Sequence, residues 1–540
     1  MTIAQKLVSP ELSAWLEARQ SALKIVKTTT TPSGKIIDWV PIESQVPGGK
    51  IATPPPTALS ARPRHPKRPV EPARFELDDP SVEHGPPGTV PILRPDITRF
   101  PRTLSLKDHL AMTKKGGLFV NKANHRGTPG DPNPAGYFHC TDSQFGTFYG
   151  WDGYLNVWAP AINSPLGTGY DHSILQVWLQ NNTQRQLQSL EGGWTVDQSL
   201  NGDTQPHIFT YYTTNGYTTN GDNVGGYNTK YKGFVQYSSA STTGSVVFPG
   251  IRINGISTWG GTQTDVSMKF QLYQEPGTNT LNWWVAVQGI WMGYYPATLF
   301  NGGLSNSVTW IGSGGEVDST LSNPELTEDQ MGSGWQASAG WTRAAFLRNL
   351  RTQSDMSGTM AENNGTGTTD AAAKGGADPY TIQMDMESPT TWGSYFYCGG
   401  PNAPAVANEQ FNQITFDIVT GGDDLRGDSS ATATVALPGG AQTFTLKSQS
   451  DGGWGNNSEH VKTFNIAGPA PLLQAFGAIT ITLTSHNGIF ETDDNWNIQS
   501  AKITVSGPSG SALLFNQGGN PLARLTGSAP SVTFQPEAGA

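Results

Sequence analysis

Two glutamates in matching surroundings are the residues whose types and spacing could do chemistry. Glu191 stands in Gln188-Ser189-Leu190-Glu191-Gly192-Gly193-Trp194-Thr195-Val196, and Glu316 in Trp310-Ile311-Gly312-Ser313-Gly314-Gly315-Glu316-Val317. Each has glycines beside it, and small neighbours let a substrate backbone come close. Two carboxylates meeting in a partly dry groove cannot both ionise easily, so one keeps its proton at mildly acidic pH. The charged one can take a proton from water. The protonated one can donate to a carbonyl oxygen or a leaving nitrogen. That is hydrolysis without metal, serine or cysteine. Periodicity alone does not show that the two residues meet.

Both stretches read as short strands. Around Glu191, apolar and polar residues alternate with the period of a pleated ribbon: Leu190, Trp194 and Val196 one way, Ser189, Glu191 and Thr195 the other. The surrounding chain has the same texture. Asp171-Ile174-Val177-Leu179, Ile208 to Tyr212, Gly233 to Tyr237 and Val246 to Phe248 are further strands. Met268-Phe270-Leu272 pairs with Trp283 to Val287 across Glu275-Pro276-Gly277-Thr278-Asn279, a hairpin signal. Many short strands at near-regular spacing indicate a sandwich or barrel. Thr352 to Gly376 reads as a long surface loop. After Pro401 a second β-rich unit begins, with strands at Phe411–Ile418, Ala431–Val435, Phe444–Leu446, Ile479–Leu483 and Ile503–Val505.

Ahead of the strands, Ser9-Pro10 caps an amphipathic helix running to about Val26. Thr28 to about Pro101 is proline-rich and reads as an extended arm rather than a packed domain. Its basic cluster, Arg62 to Arg68, is either a solvated run or a strap across an acidic cleft of the same chain. The expected division is therefore 1–123 arm, 124–405 first β-domain and 406–540 second β-domain.

Composition agrees with this and excludes other classes. Across 540 residues charge is only 14%, with 64 glycines, 38 prolines and 16 tryptophans, which suits an all-β protein. A net charge of −10 argues against nucleic acid as a partner. No run approaches a membrane span. The first residues lack the basic-then-apolar pattern of a secretory signal, although secretion is the expected localisation. Cys140 and Cys398 are too few for a disulfide scaffold; one bridge or two buried thiols are both open.

From Gln176 to about Asn402 the chain resembles the neprosin family of glutamic peptidases. The matching pieces are Leu190 to Val196, Pro206-His207-Ile208-Phe209-Thr210-Tyr211-Tyr212-Thr213, Gly226-Tyr227-Asn228, Gly233 to Gln236, Gly293-Tyr294-Tyr295-Pro296, Gly314-Gly315-Glu316-Val317, Met331 to Gly334 and Tyr397 to Asn402. The resemblance implies an antiparallel, concanavalin-like β-sandwich with two glutamates in its groove, cleaving peptide bonds after proline. Carried over, the catalytic pair falls on Glu191 and Glu316. It also implies that the N-terminal arm is an inhibitory prosegment and that catalysis needs no cofactor. Plant members carry cysteines where this chain has Gly226 and Tyr231, consistent with loss of one disulfide. Aromatics that could stack on a proline ring are Trp194, Tyr212 and Trp310, although the alternation above puts Trp194 on the core face.

The C-terminal unit is similar to accessory sandwiches found after bacterial hydrolases, distantly like lipoxygenase-type sandwiches. Asp423, Asp424, Asp493 and Asp494 lie on its acidic corners and could hold Ca²⁺, while Asx-turns explain them as well. His172 and His207 could tune the groove or be structural. Two rival readings stay open: a glycoside hydrolase using the same carboxylates, and a non-catalytic carbohydrate- or surface-binding sandwich.

Overall fold

The computed structural model describes residues 9–58, 63–95, 105–107, 110, 137–162, 171–182, 186–239, 246–319, 329–362, 365–369, 380–400, 410–472, 475–486, 492–507 and 510–536. The chain divides into two compact units, Met1–Pro401 and Asn402–Ala540. Both are β-structures.

The first unit is a sandwich of a seven-stranded and a ten-stranded sheet. The seven strands, in chain order, are β1 (Tyr137–Phe148), β2 (His172–Asn181), β3 (Gln188–Asp197), β4 (His207–Thr213), β5 (Gly225–Tyr227), β6 (Val308–Asp318) and β7 (Thr366–Thr369). Every pairing is antiparallel, and the spatial order is β5-β4-β3-β2-β6-β1-β7. The strands carrying the two glutamates, β3 and β6, therefore flank the same central strand, β2. The ten-stranded sheet runs Val235–Gln236, Ile290–Pro296, Leu281–Val287, Thr264–Gln274, Gly150–Asn156, Ala345–Gln353, Ser394–Gly399, Thr381–Met386, with two short strands beside it. Its expected hairpin is present, with Phe270 opposite Val285.

Alternation decides which residues fill the space between the sheets. Leu190, Trp194 and Val196 join Leu175, Val177 and Leu179 of β2 in the core, all fully buried. A side chain at Gly192 would stand 2.9 Å from the Met268 sulfur and the Phe270 ring of the opposite sheet, so a larger residue here would press against that sheet. Glu191, Gly193 and Thr195 consequently point away from the second sheet. Cys140 and Cys398 are free and buried in this core, so the bridge left open by the sequence does not form.

The arm corrects the expectation of an unpacked linker. The helix runs Pro10–Ser21, shorter than expected, with the Ser9 hydroxyl accepting from Leu12 N at 3.2 Å. Lys27–Thr30, Ile36–Pro41 and Thr89–Leu93 then form their own three-stranded sheet. Ile37, Trp39 and Val90 supply enough buried apolar surface to fold a stretch whose prolines are confined to edges and turns. Ala52 and Ala58 pack with Trp284, Trp291 and Tyr294 on the outer face of the ten-stranded sheet. Nor does the basic cluster strap the glutamates. Arg68 and His65 both pair with Glu387, at 2.7 and 3.2 Å, and Arg68 lies 4.9 Å from the Trp392 ring. Trp392 belongs with Phe346, Tyr395 and Tyr397, again on the ten-stranded sheet. Arg62 and most of 96–136 lie outside the described residues.

The second unit is a sandwich of two four-stranded sheets. All five expected strands are present, and Glu459–Asn465, Gly510–Leu525 and Ser531–Phe534 are added. Its core holds Phe416, Trp454, Ile481, Trp496 and Ile503.

Candidate functional site

Strand register lays the site out as a grid on the face of the seven-stranded sheet turned away from the sandwich core. One row across β3, β2 and β6 is Glu191, Trp178, Gly312; the next is Gly193, Gln176, Gly314; the third is Thr195, Ile174, Glu316. The glutamates occupy opposite corners with Gln176 at the centre. Two strand spacings across and four residues along would set their Cα atoms on the order of 16 Å apart in a flat sheet. Twist and two long side chains shorten that gap. The glycines between them are imposed by the backbone: a Cβ at Gly193 would stand 2.0 Å from the Leu175 carbonyl oxygen, and one at Gly314 only 1.8 Å from that of Cys140.

Each carboxylate has its own donors. On Glu316, His172 Nε2 approaches Oε1 at 3.2 Å, while His139 Nε2 and Gln176 Nε2 approach Oε2 at 3.2 and 3.0 Å. Those donors come from both neighbouring strands, His139 from β1 and His172 and Gln176 from β2. Tyr137 stacks on His139 and meets His172 edge-on, keeping both rings in place. Burial alone would lower the His172 pKa. The hydrogen bond to Glu316 and the charges of Asp318, Glu316 and Asp197 outweigh it and raise that pKa instead.

Glu191 is held by hydroxyls. Ser189 Oγ donates to Oε1 at 2.8 Å and the Tyr217 hydroxyl to the same oxygen at 2.5 Å. Gln180 Nε2 donates to that phenol at 3.2 Å, so the phenol proton is directed at Glu191. Burial first, then the Glu191 charge, pushes the Tyr217 pKa well up. Glu191 is fully buried and Glu316 is 1% exposed.

Of the aromatic residues expected to meet substrate, only Trp310 shares this face. It opposes Gln180 on β2, and its ring folds over Gly312, where a Cβ would lie 2.2 Å away. Trp194 and Tyr212 are corrections. Both are fully buried in the inter-sheet core, Trp194 donating to the Asn156 carbonyl at 3.0 Å and Tyr212 packing on Tyr295 and Phe300. Odd-numbered residues of β3 and β4 face outward, and these two are even-numbered. His207 is satisfied by the Gly250 carbonyl and Asp203, both at 2.9 Å, and is structural. Trp178, next to Glu191 in the grid, was not singled out by sequence. Nor were His139, Gln176, Tyr217 and Tyr227. Where plant relatives were expected to carry a disulfide, Gly226 instead lies under the Tyr231 ring, 2.4 Å from a would-be Cβ.

The acidic corners of the second unit are largely taken by arginines. Asp494 is buried and accepts from Arg426 Nε and Arg426 N, each at 3.0 Å. Asp423 pairs with Arg524 at 2.8 Å. Asp424 is half-buried on its loop, and Asp493 is exposed beside Gly527. Among the described residues no group of three or more His, Cys, Asp or Glu side chains is placed to hold a metal ion. No described helix is long and apolar enough to cross a membrane.

An all-β sandwich with two buried glutamates diagonal on one sheet face, each gripped by its own donors, defines the class. Residues 169–401 match the family model described as Neprosin, which supports membership of that family. Membership suggests a peptidase-like hydrolase. Among solved structures, the chain is similar to an alpha-toxin of Clostridium perfringens from an avian strain, at 16% identity and TM-score 0.20, over 24% of this chain and 33% of that one. The alpha-toxin of Clostridium absonum matches at 14% identity and TM-score 0.20, over 24% and 33%. A LOX deletion variant matches at 12% identity and TM-score 0.18, over 23% and 16%. The chain thus spans about a third of the length of the two toxins.

Proposed function

We propose that this protein is an acid-active glutamic endopeptidase in which Glu316 is the base and Glu191 the acid. The observation that supports the assignment is the difference between their donors. Both oxygens of Glu316 receive nitrogen donors, two of them imidazoles, which favours a carboxylate. Glu191 accepts from the Ser189 and Tyr217 hydroxyls, neutral donors that bond a carboxylate less strongly than charged ones.

In the reaction, Glu316 takes a proton from water as its oxygen attacks the scissile carbonyl carbon. The tetrahedral adduct then collapses, the C–N bond breaks, and Glu191 gives its proton to the leaving nitrogen. Proton return from Glu316 through solvent to Glu191 resets the pair. A proline-rich peptide would lie along β2 between the glutamates, with Trp178 and Trp310 offering flat faces to a proline ring.

The chain is proposed to be a zymogen, its arm the prosegment. Burial of both carboxylates supports this, since a peptide reaches them only after something moves. An enzyme that works in acid suits an extracellular setting. The test is mass spectrometry of a proline-rich peptide mixture incubated at about pH 3 to 5, near ordinary carboxylate pKa values. Wild-type protein, after acid exposure that shortens its N-terminal side, cleaves; Glu191→Gln and Glu316→Gln, with unchanged melting, do not. Normal cleavage by either variant would remove the assignment.

A further inference from the structure

Neither carboxylate accounts for the negative charge that develops on the carbonyl oxygen as water adds. A donor is needed there, aimed at the space between base and acid. The structure assigns this role to the Tyr227 hydroxyl: we propose that Tyr227 is a catalytic hydrogen-bond donor to the oxyanion. The inference rests on the peptidase reading above.

Tyr227 closes β5, the edge strand, and lies opposite Tyr211 of β4, which is itself opposite Glu191 of β3. The three side chains therefore share the glutamate face. The Tyr227 ring meets Tyr211 at 4.8 Å and Phe209 at 5.7 Å, and these three form one buried cluster with Ile174. Ile174 is the β2 residue opposite Glu316. One aromatic side chain thus reaches from the row of the acid toward the row of the base.

Its hydroxyl is the unusual part. Tyr227 is 3% exposed; among the described residues no protein group bonds its hydroxyl, and that oxygen is not fully enclosed. The neighbouring phenols of Tyr211, Tyr212 and Tyr217 are all engaged. A phenol that bonds no protein group and is open to solvent can donate to a bound ligand in place of water. Burial, then the charges of Glu316, Asp197 and Glu191, push its pKa well up, so it remains a donor across the acid range. Both glutamates therefore act on the same phenol.

The backbone around Tyr227 is built to hold it. Asn228 takes a left-handed conformation, φ 54°, and its side chain accepts from Thr210 N at 3.1 Å while its own N donates to the Thr210 carbonyl at 2.7 Å. On the other side Gly226, φ 141°, lies against the Tyr231 ring. These contacts lock the segment onto β4 from both ends.

The experiment compares wild type, Tyr227→Phe and Tyr211→Phe on one proline-containing peptide, with Glu316→Gln as the inactive reference. Tyr227→Phe removes an oxygen that bonds no protein group among the described residues, so its melting temperature should hold. Loss of an oxyanion donor lowers kcat on the order of 10²- to 10³-fold with KM within about threefold. A peptide phosphinate, whose tetrahedral anion mimics the adduct, should weaken by a similar factor against Tyr227→Phe, while a product peptide binds as before. Tyr211→Phe should keep kcat within about threefold. A Tyr227→Phe kcat within about threefold of wild type, beside a dead Glu316→Gln, overturns the donor role and leaves the peptidase reading intact. A wild type that cleaves no peptide at any pH removes both.

Discussion

Asp142 gives a pH dependence of stability that can be worked out from its surroundings. It lies on β1 opposite Ser313, on the inward side of the sheet with Phe138 and Cys140, and is 1% exposed. Gln144 Nε2 at 3.2 Å and Ser313 Oγ at 3.5 Å donate to one oxygen, while the other has no partner among the described residues. Burial outweighs those two donors and raises its pKa from 3.8 to about 6. The native state therefore keeps this proton up to about pH 6, whereas the unfolded chain releases it near pH 4. Between those values the native state binds more protons, so stability falls as pH rises. About two pH units at 1.36 kcal/mol each makes roughly 3 kcal/mol, present below pH 4 and lost by about pH 6 to 7. Asp142→Asn keeps the shape without the titration. Urea unfolding at pH 4 should put the variant near wild type; at pH 7 it should be more stable, by up to roughly 3 kcal/mol. Equal pH slopes for variant and wild type would refute the reasoning.

Two further outcomes follow from buried charge. His172→Asn removes a cation from Glu316 while leaving His139, Gln176, Tyr137, Tyr227, Asp318, Asp197 and Glu191 around it. With that donor gone, the acid limb of the kcat/KM profile should move up in pH; an unmoved limb sinks the coupling. Arg348 and Asp265 form an ion pair at 2.7 Å, with both side chains at most 2% exposed. Arg348→Met should cost about 3–5 kcal/mol in denaturant unfolding by stripping buried Asp265 of its guanidinium, and Arg348→Met with Asp265→Leu should recover most of it. A single variant as stable as wild type would show that the pair is dispensable.

Much of this was legible in the chain because strand periodicity is local. The alternation Leu190, Trp194, Val196 against Ser189, Glu191, Thr195 assigned faces before any partner was known. Gln176 carried a readable signal too: it is the polar member of Ile174, Gln176, Trp178, interleaved with the core triplet Leu175, Val177, Leu179. What alternation cannot supply is register between strands distant in sequence, which is what makes Gln176 the centre of the grid. It also cannot place Tyr217, which reaches Glu191 from a turn with φ 62°. The same rule explains the errors. Tyr212 was proposed for the substrate from its type, although one step along β4 separates the core face from the outer face.

The arm shows a different limit. Its prolines speak against long regular elements, and that part of the expectation was sound. Yet a chain can be packed without being regular when the surface opposite supplies the missing partners. Trp291 Nε1 donates to the Pro55 carbonyl at 3.1 Å, the Tyr294 hydroxyl accepts from Ala52 N at 3.2 Å, and Arg348 Nη1 donates to the Pro63 carbonyl at 3.3 Å. Each contact satisfies a backbone group that an isolated extended segment would leave to water. They come from outward-facing residues of the ten-stranded sheet, so the arm completes that sheet's exposed side. The arrangement has a functional consequence. Arg19 and Lys35 of the arm pair with Asp222 and Asp203, in loops of the glutamate sheet, whereas the segment from Ala52 to Arg68 is fixed to the sheet opposite. That segment can remain bound while the glutamate face changes its own cover, so releasing it and uncovering the carboxylates are physically separable steps. Trimming followed by activity measurement would order them: cleavage activity that appears before the segment bearing Ala52 and Pro55 dissociates supports separable steps, and activity that waits for its release refutes them.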